Sequence, residues 1–121
     1  MPNILVTNSV AAGATETNIL TGSKFEFMGQ NAAILVYSCF GANTPAVGDI
    51  LMDVTFGSGI VGDSLALPLE PGGVAGTGPD RQSQLIASGI AAAGDRLQIK
   101  LQNTDATEAH DVRTMVEIRP L

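Results

Sequence analysis

The 121-residue sequence lacks tryptophan and has one tyrosine, one cysteine and one histidine. A single cysteine, Cys39, excludes an internal disulfide and any zinc site built on several thiolates. A single histidine, His110, excludes every motif that needs two. Lys and Arg total 6 against 12 Asp and Glu, a net charge of −6. Phosphate backbones and anionic lipid both call for basic surface, so neither nucleic acid nor membrane is an expected partner. The longest uninterrupted apolar run covers residues 32–37, whereas a membrane-spanning helix needs roughly 20 such residues. The first twenty residues carry no Lys or Arg and no cleavable apolar segment, so no signal peptide is expected.

What remains is short apolar segments punctuated by 14 glycines and 6 prolines. The segments run to about five to nine residues, the length of strands rather than helices. Candidate strands cover residues 4–10, 15–20, 24–27, 32–40, 49–56, 64–69, 82–88, 96–102 and 112–118. Residues 96–102 alternate most clearly: Leu97, Ile99 and Leu101 face in, and Arg96, Gln98, Lys100 and Gln102 face out. Residues 32–40 are apolar on both parities, as a central strand covered on both faces would be. Only 86–93 leans toward helix, and Gly89 and Gly94 limit it. The pattern predicts one all-β domain over residues 1–121, a single jelly-roll-like β-sandwich of about eight short antiparallel strands. Its expected core is Leu35, Tyr37, Ile50, Met52, Val54, Leu97, Ile99, Leu101, Val112, Val116 and Ile118.

Few residues suit chemistry. Gly57, Gly59 and Gly62 match G-x-G-x-x-G, but Pro68 and Pro71 follow too soon for the helix that would hold a pyrophosphate. They read as a tight turn between strands. Cys39 lies in the most apolar segment and reads as a small buried hydrophobe. His110 sits in a polar connector beside Asp111, whose side chain points to the opposite face of a strand. No nucleophile–base pair emerges, so no enzyme activity, catalytic residue, cofactor or defined metal set is expected. The oxygen-rich segment 103–108 fails the EF-hand pattern, which leaves open a looser calcium site near Asp105 and Asp111. A sugar-binding platform requires exposed aromatic rings. Phe25, Phe27, Tyr37, Phe40 and Phe56 all fall in segments patterned as core.

The sparse charge, 15% of residues, leaves a neutral surface rich in Ala, Thr, Ser, Gly and Asn, and charge is depleted at the centres of protein interfaces. The candidate partner contacts are Asn3, Ile4, Leu5, Val6 and Thr7, in a segment without charge, and Gly72, Gly73, Val74 and Gly76, in the Gly-rich stretch 70–80. The first segment has two readings: an arm that adds a strand to a neighbour, or an edge strand of its own sandwich.

The order of features resembles a known class. A first strand leads into the small-residue turn Val10-Ala11-Ala12-Gly13-Ala14-Thr15, and an apolar central strand spans residues 33–37. Gly94-Asp95-Arg96-Leu97 then opens an alternating strand, Asn103-Thr104 follows it, and Val116-Glu117-Ile118-Arg119-Pro120 ends the last one. This is similar to the small β-sandwich decoration, or cement, proteins on the capsids of tailed bacteriophages. The resemblance implies a homo-oligomer, often a trimer, bound to major capsid protein on the outside of the virion, without catalytic residues. Single jelly-roll vertex or minor capsid proteins would give a similar pattern. A carbohydrate- or host-surface-binding module is the remaining alternative.

Overall fold

The computed structural model describes residues 3–23, 26–41, 46, 48–71, 78–80 and 84–120. Eight strands form: β1 (Asn3–Val10), β2 (Thr15–Glu16), β3 (Ala32–Gly41), β4 (Ile50–Phe56), β5 (Gly59–Ala66), β6 (Leu85–Ala91), β7 (Leu97–Asn103) and β8 (His110–Pro120). They make two four-stranded antiparallel sheets, ordered β1-β8-β3-β6 and β2-β7-β4-β5. The first strand thus pairs with the last, the second with the seventh, the third with the sixth and the fourth with the fifth. A long hairpin rolled over itself gives this nesting, and the fold is a jelly-roll sandwich.

Alternation explains the faces. In β4, Ile50, Met52, Val54 and Phe56 are buried; in β7, Leu97, Ile99, Leu101 and Asn103 are. They meet Ile34, Val36 and Phe40 of β3 and Val112, Val116 and Ile118 of β8 in one core between the sheets. Leu35 and Tyr37 take the opposite parity on β3: Tyr37 is buried, as expected, and Leu35 half-buried, but neither joins the core cluster between the sheets. Both parities of this strand are apolar, so alternation alone did not set its inward face.

The turns follow local chemistry. Phe56 pairs with Gly59, so Gly57-Ser58 is a two-residue hairpin loop. Gly57 takes φ 61°, which strains any side chain, and a Cβ there would lie 2.8 Å from Asp95 Oδ1, so the Asp95 carboxylate would also have to move. Gly59 and Gly62 belong to β5, so the G-x-G-x-x-G match is a hairpin and its return strand. The strand expected over 64–69 accordingly lies earlier, at Gly59–Ala66. The segment leaning toward helix is β6, with Gly89 opposite Ile34. A Cβ on Gly89 would sit 3.2 Å from the Phe56 ring, so the glycine makes room for core packing across the sandwich.

The strand expected over 15–20 shortens to β2, after which the chain follows the edge of β7. Ile19 N donates to Ile99 O, Leu97 N to Glu26 O and Met28 N to Asp95 O. Phe27 forms only an isolated bridge with Arg96, and its ring is exposed rather than part of the core. Phe25 lies outside the described residues.

Candidate functional site

The outer face of the β2-β7-β4-β5 sheet is mixed: it carries Gln98, Lys100, Gln102, Asp53 and Thr55, with Lys100 Nζ 3.7 Å from Asp53 Oδ2, but also Leu51, and Ile60 of β5, opposite Thr55, is 75% exposed. The other sheet carries an apolar row. Leu5 of β1 pairs with Met115 of β8, Met115 with Tyr37 of β3, and Tyr37 with Leu85 of β6. Leu5 is 50% exposed and Leu85 47%, at the two ends of the row. A shallow groove between β3 and β6, lined by Ala33, Leu35, Ser88, Gly89, Ile90 and Arg119 among others, extends the patch. Ile90 is 68% exposed.

Of the candidate contacts, Asn3, Ile4, Leu5, Val6 and Thr7 lie in β1. This strand pairs with β8 from Asn3↔Glu117 to Val10↔His110 and is the edge of its sheet. The segment is therefore an edge strand of its own sandwich and not a detached arm. Leu5 and Thr7 face outward, and Ile4 packs against the core. Gly72, Gly73, Val74 and Gly76 lie outside the described residues. The base of their loop is described. Cys39 Sγ donates to Glu70 Oε1, Arg113 Nε donates to Gly78 O at 2.8 Å, and Gln84 Nε2 donates to Leu69 O at 2.8 Å. Cys39 is buried, as its sequence context implies, but by this loop base on the outer side of β3 and not in the core between the sheets.

A second constellation lies at the end of the sandwich where β3 leads to β4 and β7 to β8. His110, the first residue of β8, is fully buried rather than placed in an open connector. The Phe40 ring meets its imidazole edge-on, centroids 5.5 Å apart. Its Nε2 lies 3.0 Å from Asp105 Oδ2 and 3.3 Å from Asp49 Oδ2. The supporting bonds fix both carboxylates. Asp105 Oδ1 accepts from Thr107 N (2.9 Å), Thr107 Oγ1 (3.1 Å) and Glu108 N (3.3 Å), which leaves Oδ2 aimed at the imidazole. Amide donation from Thr107, joined by the contact with His110, holds the Asp105 carboxyl below its usual range. Asp49 Oδ2 accepts from Ala46 N, and its carbonyl accepts from Thr104 N at 2.7 Å.

Asn103, buried at the end of β7, ties this corner together. Its Nδ2 donates to Val10 O (3.0 Å), Ala11 O (3.2 Å) and Glu108 O (3.0 Å), and its Oδ1 accepts from Asp105 N (2.9 Å). Asp111 takes no part. It is exposed on β8, on the opposite parity from His110, so the acidic residue that lies beside Asp105 and His110 is Asp49 and not Asp111. No local pattern links Asp49 to this pair, because it is distant in sequence. Its one local signal is the Gly48-Asp49 pair ahead of a strand, the same turn chemistry as Gly94-Asp95.

The chain matches no family model and no curated protein sequence.

Proposed function

We propose that the protein is a non-catalytic assembly protein of a virus particle: a decoration protein that works as a homo-oligomer on the outside of a shell of major capsid protein. The observation that carries this reading is the pair of half-exposed leucines, Leu5 and Leu85, at the two ends of the row Leu5–Met115–Tyr37–Leu85 on one outer sheet face, with Tyr37 buried at its centre. A sheet that packs a core on one side and presents apolar residues on the other is suited to cover by another protein. Jelly rolls recur in viral capsid proteins, and the net charge of −6 suits an exterior position away from packaged nucleic acid. The nesting of first with last strand also favours a second reading, a vertex or minor capsid protein of the single jelly-roll kind. A sugar-binding module has less behind it, since Phe27 is the one exposed aromatic ring among the described residues.

The test is direct. Immunogold microscopy should place the protein on particle exteriors, and light scattering should give a defined oligomer. Leu5→Asp and Leu85→Asp should leave the fold intact and break the oligomer or its attachment. A wild-type monomer that labels no particles overturns the reading; labelling confined to vertices selects the second.

A further inference from the structure

We propose that Asp49, Asp105 and His110 form a binding site for a divalent cation of the zinc class. The three come from separate parts of the chain, and one ligand atom from each converges: His110 Nε2, Asp105 Oδ2 and Asp49 Oδ2, all within 4.8 Å of one another. Around a tetrahedral zinc, ligands at about 2.0–2.2 Å lie roughly 3.3–3.6 Å apart. The imidazole-to-carboxylate separations, 3.0 and 3.3 Å, need only small side-chain shifts to reach that spacing.

A divalent cation at the convergence point would neutralise both carboxylates and take a lone pair from Nε2, and any proton on Nε2 would leave for solvent in exchange. The ligand set chooses the metal. An imidazole with two carboxylates suits zinc and its neighbours. Calcium requires six to eight oxygens, and magnesium dehydrates reluctantly for so few carboxylates.

The ligands are held before the metal arrives. Asp105 Oδ1 is occupied by Thr107 and Glu108, and the buried imidazole is braced by Phe40. The Asp49 and Asp105 side chains keep 23% and 19% exposure, which gives the ion an entry path and a water for the fourth position. A bound cation would fasten the connection before β4 to the connector before β8.

Isothermal titration and thermal melting with Zn2+, Co2+, Ca2+ and Mg2+ alone test the assignment. Zn2+ is expected to bind one per chain and raise Tm, with chelator reversing the rise. Co2+ should give the visible absorption of a tetrahedral site. Asp49→Asn keeps an acceptor for the Ala46 amide, and Asp105→Asn keeps one for Thr107, so both should fold and bind Zn2+ at least tenfold more weakly. Absence of Zn2+ binding to the wild type, unchanged affinity in either Asn variant, or tighter binding of Ca2+ or Mg2+ than of Zn2+ overturns the proposal.

Discussion

The Cys39 thiol donates to Glu70 Oε1 at 2.6 Å, while Gly78 passes so close that a Cβ there would lie 2.5 Å from the sulfur. The only cysteine is therefore sealed beneath the base of the Gly-rich loop. Burial pushes its pKa up, and the neighbouring carboxylate pushes it further, because both disfavour a thiolate. Cys39 should resist a thiol reagent such as DTNB at pH 8 in the folded protein and react fully in denaturant. Gly78→Ala should make it reactive under native conditions, since the loop base must shift to admit the methyl group. Rapid labelling of the native wild type would show that the loop base is open.

Asn103 supplies three backbone carbonyls with their hydrogen bonds and is almost wholly buried. Asn103→Ala should cost roughly 1–3 kcal/mol, the penalty for orphaned buried acceptors. Asn103→Asp should cost at least as much at pH 7, because a carboxylate has no donor to offer these oxygens. Urea melts of the two variants check the order. A smaller loss for Asp than for Ala would place the value of this residue in its shape rather than its donors.

The inward parity of β3 makes a sharp comparison. Ile34→Ala should cost about 2–5 kcal/mol, as core truncations do, and Leu97→Ala and Leu101→Ala should fall in the same range. Leu35→Ala, on the half-buried outer face, should cost less than half as much. Denaturant midpoints at unchanged slope give the ranking.

Acid should weaken the corner at Asp105. Its carboxyl is held below the ordinary value near 3.8, so it contributes stability that is full above that value and lost as the pH falls through the depressed one. Tm measured from pH 7 to pH 2 should therefore drop more steeply below about pH 4 in the wild type than in Asp105→Asn. Parallel curves would mean that the carboxylate gains nothing from its donors.

An oligomer or shell contact made through the apolar row should survive about 0.5 M salt, where the Debye length is only a few ångströms. Size-exclusion chromatography across a salt series measures this. Dissociation at that ionic strength would point to ion pairs instead of the row.

Much of the architecture could be read from alternation. β7 and β4 each keep a strict inward set, so both their existence and their facing were legible. β3 was legible as a covered strand, but not which way Leu35 and Tyr37 turn. The cover on its outer side includes Glu70, Gly78 and Gln84, far along the chain, and no local pattern announces that. β6 was obscured for another reason: Ala, Ser and Gly carry little periodic signal, and pairing with β3 decides its state. The cluster at Asp49, Asp105 and His110 was half visible. Asp105 and His110 share one connector, but Asp49 reaches them only because β4 pairs with β7, with Ile50 opposite Asn103. Such a relationship belongs to the topology and has no counterpart in local sequence.

The pairing of first strand with last also sets a timetable. β8 lies between β1 and β3, so the sheet that contains them stays divided until residues 110–120 have been made. Throughout synthesis β1 waits with its backbone unpaired and with no charged side chain to repel another strand. Folding must proceed after most of the chain exists, on the slow timescale of long-range β pairing. During that interval, at high expression, neighbouring nascent chains compete with β8 for β1. Yield of soluble protein should therefore depend on synthesis rate and temperature more than on the stability of the finished sandwich.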